Sequence, residues 1–335
     1  MHVTVVGAGV AGLSCALELA RRGVAVNVLE RSEQRGPSGC SWFAGAMLAP
    51  WCELETAEPL VAHLGEQGLR WWREHFSGTV QTGSLVLAHA RDDVELDRFA
   101  RRTSHWLRIG RDRVNELEPD LAPRFERALY FENEAHLDPR TAAAALERYL
   151  RELDVPIRYG VDAASVSHAS DCIVDCRGLD ARDVLHDLRG VKGEMLLLRT
   201  RELHLSRAVR VLHPRHSIYV VPRGPGLFMI GATQIESDDR NVGVRSILES
   251  LNAVYALHPA FADAHVIEIG AGVRPAFPNN LPRLRWHGRT LFVNGLYRHG
   301  FLLAPPLSRM AADAVLHDRW FPEVMDEDHR QRRCS

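Results

Sequence analysis

Residues 3–30, VTVVGAGVAGLSCALELARRGVAVNVLE, decide the fold of this chain. The apolar run at the start predicts a buried strand, and the apolar residues after the glycines recur at helical spacing. Gly7, Gly9 and Gly12 separate the two in the order G-x-G-x-x-G, and a second apolar run ends in Glu30. A strand, a glycine turn, a helix, a strand and a terminal acid together predict a dinucleotide-binding βαβ unit.

Each part of this motif has a physical task. Gly7 permits the tight turn, Gly9 lets the backbone approach a pyrophosphate, and Gly12 lets the helix pack close to the sheet. The helix N-terminus offers free N–H groups and a positive dipole end to the phosphates. Glu30 can accept hydrogen bonds from ribose hydroxyls, which argues against a ribose phosphate and hence against NADP. The stretch alone does not separate NAD from FAD.

Length and composition set the broad class of the protein. A chain of 335 residues with 46% hydrophobic residues predicts a globular protein of two domains. The net charge of −2 gives no electrostatic reason to expect nucleic acid or an anionic membrane as a partner. No apolar run is long enough to span a bilayer, and no basic n-region precedes the first strand. The six cysteines suit neither a disulfide framework nor a metal site, so reduced thiols in the cytoplasm are expected.

The remaining chain divides into two kinds of pattern. A strand–helix–strand pattern returns at 138–176, with Asp138 and Pro139 as a helix start. Close-spaced strands between 193 and 231 predict an antiparallel sheet. Further helices are predicted at 58–76, 92–107 and 242–257, strands at 266–269 and 290–294, and a last helix from Pro305 to about His317. We therefore predict an α/β fold (α+β overall), with a Rossmann-like domain on a parallel sheet and a second domain on a mainly antiparallel sheet.

Four segments carry a resemblance to a known family. They are GAGVAG with Glu30, SWFAGAMLAP (41–50), SIYVVPR (217–223) with IGAT (230–233), and GVRPAFPNNLP (272–282) followed by GLYRHGFLLAP (295–305). With them the chain resembles the flavin-dependent amine and amino-acid oxidases, the group of D-amino acid oxidase and sarcosine oxidase, and within it the glycine oxidases of thiamine biosynthesis. The resemblance implies FAD rather than NAD. It implies an FAD-binding domain of residues 1–77, 137–190 and 290–335, and a substrate-binding domain of residues 78–136 and 191–289.

The resemblance also assigns cofactor contacts. It implies that the FAD phosphates lie at Val10 and Ala11 and that Glu30 and Arg31 hold the adenosine ribose. The other implied contacts are Cys40, Ser41, Gly45, Ala46 and Met47 on the flavin side, Ala163 at the adenine, and Leu296, Tyr297, Arg298, His299, Gly300, Phe301 and Leu302 around the pyrimidine end of the ring. Trp42 and Phe43 stand where the family often carries alanine, which leaves the contacts of that loop open. No cysteine lies near Arg274, where sarcosine oxidase links its flavin, so non-covalent FAD is expected.

The resemblance makes Arg274 the clamp for the substrate carboxylate, helped by Tyr219 and Arg298. Arginine suits this task because its planar fork gives two parallel charge-assisted hydrogen bonds. The alternatives are an ordinary surface salt bridge for Arg274, a half-buried core tyrosine for Tyr219 and a brace of its own turn for Arg298. His299 is expected to be structural. Lys192, the only lysine, is either a cation near the flavin or a chance surface residue.

The implied activity is oxidative deamination of glycine, small amines or D-amino acids to an imine or glyoxylate, with ammonia and hydrogen peroxide, for the thiazole moiety of thiamine. The implied partners are an amino-acid substrate, dioxygen, thiazole-synthesis proteins and further copies of the chain in a homo-oligomer. Two alternatives stay open. One is a D-amino acid or sarcosine oxidase or dehydrogenase of the same fold, and the other is a flavin-binding protein without turnover.

Overall fold

The computed structural model of the protein describes residues 1–162, 170–214 and 216–325. Its helices are α1 (Val10–Arg21), α2 (Pro50–Glu53), α3 (Pro59–His75), α4 (Asp93–Arg102), α5 (Arg111–Leu117), α6 (Pro139–Glu152), α7 (Val244–Leu257) and α8 (Gly300–His317). Its strands are β1 (His2–Val6), β2 (Ala25–Leu29), β3 (Met47–Leu48), β4 (Ser84–Ala88), β5 (Leu107–Gly110), β6 (Arg127–Phe131), β7 (Ala135–His136), β8 (Ile157–Arg158), β9 (Cys172–Asp175), β10 (Arg189–Arg199), β11 (Ala208–Leu212), β12 (Ile218–Pro222), β13 (Leu227–Gly231), β14 (Ile235–Glu236), β15 (His265–Ala276), β16 (Arg283–His287) and β17 (Thr290–Asn294).

A six-stranded sheet carries the N-terminal motif, in the order β16-β17-β9-β1-β2-β8. Its neighbours are parallel except for the β16–β17 hairpin. β1 is central, and its Val3 and Val5 are fully buried, as the continuous apolar run requires of a strand covered on both faces. α1 packs against α6 and α8 on this sheet. The parallel sheet predicted from the first thirty residues is confirmed.

The second sheet has nine strands, in the order β14-β10-β13-β12-β11-β4-β6-β5, with β15 paired along β10. Its pairs are antiparallel except β11 with β4. A separate two-stranded ribbon joins β3 to β7. The mainly antiparallel second sheet is therefore confirmed. The borders expected for the two domains remain a proposal, since the chain passes between the sheets several times.

The last helix differs from the sequence expectation. α8 begins at Gly300, so Pro305 and Pro306 lie inside the helix rather than at its start. A proline has no N–H, so these two leave the carbonyl groups of Phe301 and Leu302 without their helical donors. The indole Nε1 of Trp72 donates to the Phe301 carbonyl at 2.7 Å. The neighbouring helix α3 thus supplies a donor to one of the two carbonyl groups that the prolines leave free.

Two further elements have different lengths from those predicted. The helix expected over 92–107 ends at Arg102, and residues 107–110 form β5, which pairs with β6. The strand expected over 266–269 continues to Ala276, although its second half contains Gly270, Gly272 and Pro275. Pairing with β10 over the full length keeps these residues extended. Both differences come from strand partners distant in sequence, which local patterns do not reveal.

Candidate active site

The glycine turn after β1 has the geometry that a dinucleotide needs. Gly7 has φ of +98°, and a Cβ on Gly12 would lie 1.8 Å from the Gly7 carbonyl oxygen, so only glycine suits either position. Gly9 is the N-cap of α1 and makes no side-chain capping bond. The first N–H groups of α1 are therefore left for a ligand, except that Val10 N–H donates to Ser41 Oγ at 3.3 Å.

Glu30 stands at the end of β2 beside this turn. Its Oε2 accepts the Ala8 N–H at 2.8 Å, and its Oε1 accepts the N–H and hydroxyl of Ser32 at 3.0 and 2.8 Å. The carboxylate is thereby held at the edge of the glycine turn, where the motif places the ribose. Arg31 is more exposed and pairs with Asp180 at 2.8 Å.

A cavity of about 220 Å³ surrounds this turn. The predicted cofactor residues that line it are Gly7, Gly9, Val10, Ala11, Glu30, Arg31, Cys40, Ser41, Leu296, Tyr297 and Gly300. Gly12 lies beneath the turn, against the Gly7 carbonyl, and is absent from the lining. Ala163, the expected adenine contact, lies outside the described residues.

A second cavity of about 800 Å³ lies between the two sheets. The predicted site residues in its wall are Val10, Cys40, Ser41, Gly45, Ala46, Met47, Tyr219, Arg274, Tyr297, Arg298, His299, Gly300, Phe301 and Leu302. Val10, Cys40, Ser41, Tyr297 and Gly300 line both cavities. The two cavities therefore meet at the uncapped start of α1, next to the start of α8. This elongated site fits a dinucleotide whose pyrophosphate lies at the helix start and whose second ring system enters the larger cavity.

The loop between the two cavities is fixed by Arg223, a residue that the sequence analysis did not single out. Its guanidinium donates to the carbonyl groups of Leu137, Ala44 and Gly45 at 2.6, 3.2 and 2.6 Å. Burial lowers the pKa of Arg223 to about 10, so it remains charged at neutral pH. Arg223 is the last residue of the SIYVVPR segment, but no pattern in the neighbouring sequence indicates that it binds loop carbonyl groups.

Arg274 lies on β15 opposite Val191 of β10. Its guanidinium covers Gly193, where a Cβ would lie 1.8 Å from Nη2. Its Nη1 donates to the Thr233 carbonyl at 3.1 Å. Among the residues that the structure describes, no carboxylate forms an ion pair with Arg274. The wall of the larger cavity thus contains a cation whose charge no described carboxylate neutralises.

Tyr219 lies on β12, with its ring against the backbone of Gly45 and Gly231. Its hydroxyl has no hydrogen-bond partner in the described part of the chain, although the residue lines the larger cavity. Burial raises the pKa of Tyr219, against the opposing effect of the nearby Arg274 charge. The hydroxyl is therefore a protonated donor at neutral pH, close to the guanidinium that needs an anion.

Arg298 differs from Arg274 because it forms an ion pair with a carboxylate, that of Glu53. Its Nη2 lies 2.6 Å from Glu53 Oε2 and donates to Thr56 Oγ1 at 2.7 Å. Arg210 Nη2 donates to the other Glu53 oxygen at 2.8 Å. Burial alone would raise the Glu53 pKa, but the two arginine charges outweigh it and hold that pKa well below its usual range. Glu53 and Arg210 were missed, since nothing local marks one acid among many or one arginine in a strand.

His299 and Tyr297 complete this wall. His299 Nδ1 lies 3.4 Å from Glu53 Oε2, and burial lowers the pKa of His299 to about 4, so the ring is neutral at neutral pH. The Tyr297 hydroxyl donates to Gln234 Oε1 at 2.8 Å, which joins the turn before α8 to the segment after β13.

Lys192 is not the surface residue that one interpretation of the sequence expected. It is 7% exposed and lies 3.2 Å from Glu194 Oε1 and 3.4 Å from Asp239 Oδ2. Its Nζ also donates to the Asn241 carbonyl at 2.9 Å. It lines neither cavity, and its charge is balanced by these two acids.

Two further features are absent from residues 1–162, 170–214 and 216–325. No helix there combines the length and the apolar character that crossing a membrane requires. No group of three or more His, Cys, Asp or Glu side chains is placed to hold a metal ion in that part of the chain.

Proteins of known family share the sequence and the fold of this chain. A family model described as FAD dependent oxidoreductase (DAO) matches residues 2–314. The chain is 53% identical over 326 residues to a Rhizobium etli protein provisionally named thiamine biosynthesis oxidoreductase ThiO, covering 96% of this chain and 99% of that protein. It is 29% identical over 354 residues to glycine oxidase of Pseudomonas aeruginosa, covering 94% of each. Its structure resembles glycine oxidase from Geobacillus kaustophilus with a TM-score of 0.80 and 24% identity, over 96% of this chain and 95% of that one, a likeness of fold.

Proposed function

Because the chain belongs to the FAD-dependent oxidoreductases of the DAO family, we propose that it deaminates glycine oxidatively, together with small amines and D-amino acids. Glycine, dioxygen and water would give glyoxylate, ammonia and hydrogen peroxide, with an imine formed first. The 53% identical relative is named for thiamine biosynthesis, which supports a role in supplying this imine for the thiazole moiety of thiamine in the cytoplasm.

The observation that carries the proposal is the unneutralised charge of Arg274. Arg274 is a half-buried cation with no carboxylate partner in the described part of the chain, and its planar fork is suited to bind an anion through charge-assisted hydrogen bonds. The substrate's carboxylate can supply that anion, with two parallel hydrogen bonds to the guanidinium and a third from the Tyr219 hydroxyl. Both side chains line the larger cavity, which adjoins the cavity of the glycine turn.

Arg298 has a supporting task in this proposal. Its charge is shared with Glu53, and its hydrogen bond to Thr56 fixes its position. It therefore holds the turn before α8 in place and contributes less than Arg274 to the attraction of a carboxylate. The interpretation of Arg298 as a brace of its own turn, left open by the sequence, is the one that these contacts support.

FAD, when bound, would accept a hydride from the substrate's Cα and pass the electrons to dioxygen. The chain would bind the amino acid by its carboxylate and thereby fix the direction of its Cα within the larger cavity. Neither His299 nor Glu53 is placed as a free base, because neutral His299 faces Glu53 and the carboxylate of Glu53 is paired. In this proposal the substrate amine is neutral when it reacts, so turnover should rise with pH as the free amine becomes more abundant.

The second candidate is a D-amino acid or sarcosine oxidase, or a dehydrogenase with another acceptor. Gln234 favours it, because this polar side chain lines the larger cavity and is held there by the hydroxyl of Tyr297. A polar residue at this place would suit a substrate with a larger or more polar side chain.

A peroxide-coupled assay in air tests the proposal on the purified yellow protein, with glycine, sarcosine, D-alanine and D-proline as substrates. We expect peroxide from glycine at a kcat/KM equal to or above that of the others. A clear preference for a larger D-amino acid or for sarcosine would support the second candidate. Bleaching of the flavin without peroxide would indicate a dehydrogenase, and no bleaching with any of the four would overturn both candidates.

A further inference from the structure

The short 3₁₀ turn Cys40–Phe43 contacts α1, α6, β10 and β15. Ser41 Oγ meets the Val10 N–H at the start of α1. Cys40 packs against Gly272 on β15, two residues before the clamp Arg274, with a distance of 3.0 Å from the Cys40 Cα to a Cβ placed on Gly272. The turn therefore contacts both the phosphate end of the site and the strand that carries Arg274.

Trp42 and Phe43 in this turn replace residues that are often alanine in the family, and each has a definite contact here. The Phe43 ring lies over Gly270 of β15, where a Cβ would be only 2.2 Å away. The Trp42 ring lies under the Arg140 guanidinium, whose central carbon is 4.2 Å from the ring centroid. The Arg140 Nε–H also points to the Trp42 carbonyl at 3.4 Å.

Arg140 in turn joins the two halves of the molecule. It sits in the first turn of α6, where its N–H donates to the Asp138 side chain at 2.9 Å. Its two terminal nitrogens donate to the two oxygens of Glu268 on β15 at 2.8 and 2.6 Å. The pairing of β15 with β10 shifts register next to Glu268, and such a bulge turns side chains in a new direction.

We propose that Trp42, Arg140 and Glu268 form a latch that holds the turn Cys40–Phe43 in place and thereby slows the release of FAD. Trp42 and Arg140 line the cavity around the glycine turn, so the latch forms part of that cavity's wall. A planar guanidinium between an aromatic face and a carboxylate combines a cation–π contact with a bidentate ion pair. α6 packs on α1, whereas Glu268 belongs to the antiparallel sheet, so opening the wall requires this pair to separate.

The three groups act as one unit in this proposal. Glu268 holds the Arg140 guanidinium over the Trp42 ring. Without the guanidinium, Trp42 and Glu268 both lose the contact that fixes them in this unit. This gives the latch a signature that independent stabilising contacts lack. Removing a second member should add little to the effect of removing the first.

The test is the rate of FAD release from the loaded protein, followed by the rise of free-flavin fluorescence after dilution. We expect Glu268→Gln, Arg140→Lys and Trp42→Leu each to speed release about tenfold, which corresponds to about 1.4 kcal/mol. The double variant Glu268→Gln/Arg140→Lys should release FAD no more than about twice as fast as the faster single variant. The matched control is Glu152→Gln, which breaks the exposed Arg148–Glu152 ion pair on the same helix and should leave the rate unchanged.

Release as slow in all three variants as in the unaltered protein would overturn the proposal. Effects that simply multiply in the double variant would also overturn it, because the residues would then act separately. If Arg140→Lys does not fold, Glu268→Gln and Trp42→Leu still decide by the same rate. The proposal rests on FAD binding and not on the choice of substrate, so a failed glycine assay leaves it standing.

Discussion

Two buried carboxyl groups show how strongly the surroundings of a residue set its charge. Glu53 faces Arg298 and Arg210, and their charges keep it ionised. Glu134 lies close by in the structure, where its Oε1 accepts the Cys52 N–H at 2.8 Å and its other oxygen accepts the Ser84 hydroxyl. It has no cation within ion-pair distance among the described residues, and burial raises its pKa to about 7. One carboxylate anchors the arginines of the site, and the other joins α2 to β4 and keeps its proton until the pH approaches about 7.

The raised pKa of Glu134 predicts a pH-dependent stability. Its folded-state pKa lies above the unfolded value, so its contribution is fully present below about pH 4.5 and is lost as pH rises to about 7. Gln cannot ionise, so the variant Glu134→Gln should not lose this stability as pH rises. The unfolding free energy of the variant minus that of the unaltered protein should therefore increase by about 2 to 3 kcal/mol from pH 5 to pH 8. Urea unfolding at both pH values measures this, with exposed Glu132→Gln as control. An equal difference at the two pH values would show that Glu134 is already ionised at pH 5.

At the scale of elements, the contact between α3 and α8 supports the site. Pro305 and Pro306 were predicted to begin the last helix, because proline favours a first turn. They are tolerated in its interior because Trp72 and Gly68 of α3 cover the carbonyl groups that they leave free. The helix therefore starts five residues earlier, at Gly300, and its positive end lies at the junction of the two cavities. The residues that position this end of α8 lie on another helix, α3.

The substitution Gly68→Ala tests this contact, because it should destabilise the protein where Gly-to-Ala changes in helices usually stabilise. In most helix interiors, replacing Gly by Ala stabilises by about 0.5 to 1 kcal/mol. Here the new Cβ would lie 1.8 Å from the Leu302 carbonyl oxygen, so α3 and α8 must separate. We expect a loss of about 2 to 3 kcal/mol in unfolding free energy, together with weaker FAD binding. Gly110→Ala is the control, since nothing lies within 4 Å of its Cβ. A Gly68→Ala protein as stable as the control would contradict the packing.

Over the whole molecule, the sequence predicts the features that depend on residues close together in the chain. The βαβ unit, the Asp138 cap of α6 and the two kinds of sheet follow from short-range patterns, and all are confirmed. FAD and the family followed from four separated segments and are confirmed as well. Other features depend on segments of the chain that meet only after folding. These are the full length of β15, the ion pairs around Glu53 and the contacts of Trp42. No local pattern distinguishes Glu53 or Arg140 from other charged residues.

In the function proposed here, Arg274 binds the carboxylate of a small amino acid beside FAD. The most direct measurement is the anaerobic bleaching of the flavin by glycine, in the unaltered protein and in Arg274→Leu. We predict bleaching in the unaltered protein and, in the variant, a half-saturating glycine concentration raised about 30-fold, since the lost charge-assisted hydrogen bonds are worth about 2 kcal/mol. Arg245→Leu removes an exposed cation from the same cavity wall and should change little. Equal bleaching in the Arg274→Leu and unaltered proteins, with FAD bound in both, would contradict the account.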